Sequence, residues 1–180
     1  MKKNTLQLST KNLATLGMLL AITIILGMFF TIRPDPYTKI PTKFIPIAIS
    51  SMLFGPFWGG VLGALADLLS YSLNPSQGAL LPQITLIEFL YGFSYGLFLK
   101  NISPTKKCYI KALFFTLLQV IILHIFLTTL LLVPVYKTPF WALFTLRIPG
   151  FIINTILQVF GILFIVKLSK TLKKISGGKR

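Results

Sequence analysis

The sequence predicts an all-α integral membrane protein, a six-transmembrane-helix bundle with its N- and C-termini in the cytoplasm. Two observations carry that prediction. The 180 residues are 54% hydrophobic and only 12% charged, whereas soluble domains carry roughly a quarter charged residues. The cations are also unevenly spread, with 13 of the 18 Lys and Arg residues in three polar patches. These are the N-terminus (Lys2, Lys3, Lys11), one inter-helix loop (Lys100, Lys106, Lys107, Lys111) and the C-terminus (Lys167, Lys170, Lys173, Lys174, Lys179, Arg180). Cationic loops are retained in the cytoplasm, so the three patches share that side of the membrane. Arg33, Lys39, Lys43, Lys137 and Arg147 then cluster around the loops on the outer side.

Taken in order, the first span runs from about Asn12 to Phe30 and stops before Arg33-Pro34-Asp35-Pro36, which is too rich in proline to be helical. The second and third, about Lys43 to Phe54 and Phe57 to Leu73, form a tight pair joined at Gly55-Pro56. The second is short and carries Pro46, so it cannot face lipid along its whole length. Asn74-Pro75-Ser76-Gln77-Gly78 is an outer loop with strong turn chemistry. The fourth span covers about Pro82 to Leu99, the fifth Lys111 to Val133 and the sixth Phe140 to Leu168, where a basic cytoplasmic tail begins. Pro134 to Pro139 reads as the third outer loop, and Pro149 is expected to kink or restart the sixth helix. With connections alternating outside and inside, the helix order and the lysine distribution give the same topology. There is no internal repeat, and residues 1–180 read as a single transmembrane substrate-binding domain.

The net charge of +15 does not point to nucleic acid. Its cations flank apolar spans, where they set topology and meet anionic lipid headgroups in the bilayer. The single cysteine, Cys108, excludes an internal disulfide and a cysteine metal cluster. Lys2 and Lys3 precede an apolar stretch, Leu13 to Ile32, that is too long for a signal peptide core and lacks a small-residue cleavage site. No GxxxxGK(S/T) phosphate loop and no HExxH occur, and the one His lies within an apolar helix, away from any serine nucleophile. Catalytic residues, metal ligands and cofactors are therefore not expected. The polar residues are suited to binding.

Ionisable groups inside a bilayer cost about 2.5–3.5 kcal/mol on insertion scales, so each needs a partner or a wet cavity. Only three acids exist: Asp35 in the first outer loop, Asp67 in the third helix and Glu88 in the fourth. Thr85, Glu88, Gly92 and Tyr95 fall on one stripe of the fourth helix, and Arg147, Gly150, Asn154, Gln158 and Gly161 on one stripe of the sixth. Asp67 and Tyr71 share a face of the third. Three polar stripes in one bundle converge on an interior cavity opening outward near Arg33, Lys39 and Lys43. A basic rim over carboxylates and aromatics suits an amphiphilic anion bearing a flat polar ring. The simpler alternative is that these groups pair only to hold the bundle together.

Small residues form two further surfaces. Gly59, Gly63 and Asp67 are spaced by four, with Gly60 and Ala64 beside them, and read as an internal helix contact. Ala14, Gly17 and Ala21 give the first helix a smooth face, for internal packing or for another membrane subunit. His124, among Ile and Leu, reads as a hydrogen-bonded core or interface residue, and Trp58 and Trp141 as interfacial anchors.

Phe44-Ile45-Pro46-Ile47-Ala48-Ile49, Met52-Leu53-Phe54-Gly55-Pro56, Gly59, Gly60, Gly63 and Asp67-Leu68-Leu69 resemble the helix two and three signature of S components. These are the substrate-capturing subunits of energy-coupling factor (ECF) vitamin transporters. Ile84-Thr85-Leu86-Ile87-Glu88-Phe89-Leu90-Tyr91-Gly92, Tyr95-Gly96-Leu97-Phe98 and Arg147-Ile148-Pro149 are similar to the folate-specific branch. The resemblance implies a vitamin-binding subunit in the bacterial cytoplasmic membrane, partnered by a transmembrane coupling subunit and two cytosolic ATPases that use the ATP. It implies that Ala14, Gly17 and Ala21 meet the coupling subunit, with Gly17 and Ala21 in the family's Ala-xxx-Ala register and Gly replacing the first Ala. It also implies a vitamin site beneath the loops at 33–42 and 74–81, which bring in Arg33 and Asn74. For folate, Arg33, Lys43 or Arg147 would hold the glutamate carboxylates, and Asp67 or Glu88 would accept from the pterin edge. Tyr71 or Tyr95 would stack on its ring, with Asn154 on the neighbouring stripe. The alternatives are another vitamin (pantothenate, riboflavin or biotin), or a membrane-embedded enzyme or assembly protein.

Overall fold

Helix α1 (Thr10–Phe29) begins where the Ser9 side chain accepts from the Asn12 backbone N–H, satisfying one of the donors that a helix start leaves open. The structure, a computed structural model, describes residues 9–30, 32–35, 38–40, 42–73, 81–100 and 105–175. At the other end of α1, the Thr42 hydroxyl lies 3.4 Å from the Leu26 carbonyl and 3.1 Å from that of Phe30. Between them the chain forms a short antiparallel hairpin, β1 (Ile32–Asp35) and β2 (Thr38–Ile40), pairing Ile32 with Ile40 and Asp35 with Thr38. This strand pair departs from the all-α expectation. Pro34 and Pro36 disfavour a helix in this stretch of sequence, and pairing satisfies backbone groups of the two strands. Strand β2 packs against the last helix of the chain.

Helix α2 (Phe44–Phe54) carries Pro46 in its first turn, where the missing N–H removes no helical hydrogen bond. It ends at Gly55, whose φ of +96° favours glycine, and α3 (Pro56–Leu73) starts at the next residue. A side chain on Gly55 would also meet the Lys100 ammonium at 3.1 Å, so the α2–α3 turn lies beside the end of α4 (Pro82–Leu99). Helices α3 and α4 approach closely along a glycine seam. A Cβ on Gly92 would run into the Gly59 backbone, one on Gly96 into Pro56, and one on Gly63 would come within 2.6 Å of the Glu88 carbonyl. Gly59 and Gly63 thus serve the internal contact that their spacing indicates.

The fifth helix, α5, is longer than its pattern suggests. An α-helical stretch Lys106–Gln119 passes into a π-helical one, Val120–Leu127, and returns to α-helix over Thr128–Tyr136. Within the wide turns the Thr128 hydroxyl donates to the Leu123 carbonyl at 2.7 Å. Pro134 lies inside the last turns of α5 instead of in a loop, and the helix stops at Lys137, which is left-handed at φ +52°, just before Thr138-Pro139. Helix α6 (Phe140–Ile175) continues past Pro149 without restarting and extends seven residues beyond Leu168. Buried Arg147, Gly150, Phe151 and Asn154 pack the segment around that proline, and burial offsets the lost hydrogen bond.

Among the described residues, three helical stretches are long and apolar enough to cross a membrane: Thr10–Phe29, Lys107–Tyr136 and Phe140–Ser169. They carry large exposed apolar side chains such as Met18, Phe114 and Phe160, each about 70% exposed. Water would penalise such surfaces and lipid does not. Trp141 is exposed at the start of α6 beside Phe140 and Phe144, while Trp58 is half-buried.

Candidate binding site

Lys43 immediately precedes α2, and it does not sit on an outer rim. It is 8% exposed, and its stem passes 3.6 Å from where a Cβ on Gly27 of α1 would lie. Its ammonium reaches 3.1 Å from Asp67 Oδ1 on α3 and 3.1 Å from Glu88 Oε1 on α4. The second oxygen of Asp67, Oδ2, accepts from the Thr85 hydroxyl at 2.9 Å. Two carboxylates and one ammonium therefore tie α2, α3 and α4 together in a buried cluster. Burial makes each charge dependent on the others, because water is not there to replace a lost partner.

Below this cluster, α4 presents Tyr91 and Tyr95 on the face that carries Thr85 and Glu88. The Tyr95 hydroxyl donates to Gln158 Oε1 at 3.0 Å, and Gln158 Nε2 donates to Asn154 Oδ1 at 3.2 Å. The Tyr91 ring meets the His124 ring with centroids 4.6 Å apart, placing the π-helical part of α5 at the site. Gln119 braces the same helices, donating to Ser94 Oγ at 2.8 Å. The cavity between these groups takes Lys43 from just before α2, Phe44 and Ile47 from α2, and Glu88, Tyr91 and Tyr95 from α4. His124 of α5 and Gln158 of α6 close it. Its volume is about 10 Å³, room for about one water molecule. A ring can enter only as the surrounding groups move apart.

Of the residues that the sequence places on the polar stripes or at the cavity mouth, Lys43, Glu88, Tyr95 and Gln158 line this cavity. Asp67 stands behind Lys43, and Asn154 behind Gln158. Arg147 is buried on α6, with Nη1 donating to Thr129 at 3.1 Å and its guanidinium 4.9 Å from the centre of the Phe151 ring. Tyr71 is half-buried one turn beyond Asp67. Arg33 belongs to β1, and Asn74 lies outside the described residues. Gly92 joins the α3–α4 seam instead of the polar stripe. Tyr91, His124 and Gln158 were not among the candidate ligand residues. The spacing of Tyr91, three from Glu88 and four from Tyr95, is the signal that finds it. Among the described residues no group of three His, Cys, Asp or Glu side chains could hold a metal ion.

A helical membrane bundle enclosing a buried, charge-bearing pocket defines a class: multi-pass membrane proteins with an internal site for a small polar molecule. A family model described as the S component of ECF-type riboflavin transporters matches residues 7–174. The chain belongs to the S-component family of ECF-type transporters. A folate transporter FolT from Streptococcus mutans is 32% identical over 142 residues, 77% of this chain and 75% of that one. A folate transporter FolT from Clostridium novyi is 34% identical over 92 residues, and the match spans about half of each chain, 51% and 52%. The crystal structure of FolT bound with folic acid shares the fold with a TM-score of 0.79 and 31% identity, over 88% of this chain and 94% of that chain.

Proposed function

We propose that this chain is the substrate-capturing S component of an ECF-type transporter, binding folate with high affinity for uptake across a bacterial cytoplasmic membrane. The observation that carries the reading is the shared fold with FolT bound to folic acid over most of both chains, together with the buried polar pocket at its centre. Residues 1–180 act as one transmembrane domain of six spans with both termini inside. The lysines at 100–111 and beyond 166 face the cytoplasm and its anionic lipids. The hairpin, Lys43 and the pocket then lie toward the outer side. Arg33 and Arg147 are the cations for the glutamate carboxylates of folate. Lys43, already engaged by Asp67 and Glu88, acts on the ligand through those acids. Tyr95, Tyr71, Asn74 and Asn154 complete the candidate surroundings.

The chain itself is not an enzyme on this reading. A transmembrane coupling subunit and two cytosolic ATPases supply the energy. Ala14, Gly17 and Ala21 are all exposed on α1, and a Cβ on Gly17 meets nothing within 4 Å, which leaves this smooth face open to a partner helix. Gly17→Trp is expected to leave folate titration of the isolated chain unchanged. It should abolish co-purification with the coupling subunit and cellular folate uptake; retained uptake would place the partner elsewhere.

Calorimetric titration of the detergent-purified chain with folate tests the main reading, with riboflavin, pantothenate and biotin as competitors. Tight one-to-one folate binding is expected. Binding of riboflavin with none of folate would keep the family and overturn the vitamin.

A further inference from the structure

We propose that the π-helical segment of α5, Val120–Leu127, is the gate of the cavity, pinned at both ends and able to turn between them. The proposal rests on the reading of this chain as a folate-binding subunit and deepens it by naming the wall that moves. One wall must move, because a cavity of about 10 Å³ holds no ring. The other walls are tied down. Phe44 and Ile47 belong to α2, in which seven of the 11 residues are buried. Lys43 is bound to Asp67 and Glu88, and Tyr95 to Gln158. In the π-helical segment only Val120 is buried among eight residues, and Ile121, Ile122 and Phe126 are each half exposed.

The two ends are fixed to different helices. Gln119, just before the segment, is buried and donates through Nε2 to Ser94 Oγ at 2.8 Å and to the Tyr91 carbonyl at 3.3 Å, both on α4. Beyond the segment, the buried Thr129 hydroxyl accepts from Arg147 Nη1 of α6 at 3.1 Å. Between these points one side chain of the segment, His124, lines the cavity, and its ring packs against that of Tyr91. His124 and Gln119 thus meet the same residue of α4 from positions five apart. In an α-helix of 3.6 residues per turn, the fifth position points roughly 140° away. The wide π turns, whose hydrogen bonds reach one residue further, bring His124 back over Tyr91. His124 therefore closes the cavity only while the surplus residue of those turns lies between it and Gln119. When the surplus passes toward Thr128, the turn behind His124 becomes α-helical and the imidazole swings off Tyr91. The Leu123 carbonyl accepts from both the backbone N–H and the hydroxyl of Thr128, so it keeps a partner while that N–H changes register.

The test removes the surplus residue. Deleting the outward-facing Ile121 puts His124 four positions after Gln119, on the same face of a plain α-helix, so the gate is shut without wide turns. The variant should melt at or above wild type in detergent, because regular α-helix replaces the rarer π turns. It should bind folate about tenfold more slowly or worse in stopped-flow mixing, and more weakly, since the open state is less populated. A variant damaged in its packing would instead lose stability and binding together. A second measurement needs no deletion and decides alone if that variant does not fold. In a Cys108→Ser background, spin labels on Leu65→Cys of α3 and Ile122→Cys should report a distance that changes when folate binds. Labels on Leu65→Cys and Phe114→Cys, the latter on α5 before Gln119, should report one that does not. Wild-type binding rates in the deletion variant would overturn the gate, as would a Leu65–Ile122 distance that folate leaves unmoved, and either result leaves folate binding standing. No folate binding by wild type would overturn the folate reading and this inference with it.

Discussion

Lys43→Met is expected to cost about 3–5 kcal/mol of stability, the range measured when one partner of a buried ion pair is removed. The ammonium touches both Asp67 and Glu88 at 3.1 Å, and its removal leaves two carboxylates facing one another in an apolar bundle. The arithmetic of charge makes this site asymmetric. Losing either acid leaves one ammonium paired with one carboxylate, whereas losing the ammonium takes away the one cation that both acids share. The triple variant Lys43→Met, Asp67→Asn, Glu88→Gln removes all three charges, and its stability should return to within about 1–2 kcal/mol of wild type, because neutral replacement of a whole buried ion cluster is often nearly free. Thermal unfolding in detergent reads both. If the single variant melts with wild type, the three groups are not energetically coupled, and their proximity does not hold α2, α3 and α4 together.

The second large effect is expected at the glycine seam. A Cβ on Gly92 would run into the backbone of Gly59, and backbone has no rotamer with which to yield. Gly92→Ala should therefore push α3 and α4 apart at a cost of about 1–3 kcal/mol or more, the range for overpacking a close-packed interior. The consequence reaches the pocket, because Thr85 and Glu88 lie on the same helix as Gly92 while Asp67 lies on the helix across the seam. Both the unfolding midpoint and folate affinity should fall. Gly17→Ala provides the control, since its added Cβ meets open space and alanine favours a helix by roughly 1 kcal/mol over glycine. A Gly92→Ala protein that melts and binds as wild type would show that the seam can spread without loss.

The α3–α4 seam and the pocket differ in how far they can be read from one dimension. Small residues spaced by four lie on one face by helical period alone, so Gly59 and Gly63 announce a close contact without any knowledge of the partner. The hairpin is harder, because Pro34 and Pro36 say only what the chain cannot do there. The π-helical turns of α5 leave no mark in an apolar run, since Val120 to Leu127 read equally well as plain helix. Pro134 and Pro149 mislead for a related reason: proline weakens a helix locally, but tertiary packing decides whether the helix continues.

Lys43 shows the limit most plainly. Its place beside an outer loop suggests a cation at the mouth of the pocket, yet it turns inward, because two acids buried on neighbouring helices need a positive charge more than solvent does. The amino-acid sequence by itself determined that this is a helical membrane protein, that few charges lie within it, and that small residues line α1 and α3. Composition, period and the cost of burying charge depend on the chain alone. Only the tertiary structure decided that Lys43 bridges Asp67 and Glu88, that Asp67 turns to Thr85, and that Tyr91 and His124 face the cavity. The Lys43–Asp67 and Asp67–Thr85 contacts join residues 24 and 18 positions apart, and Tyr95 reaches Gln158 across 63. Distances of that kind are set by how helices pack against one another, which helical period does not encode.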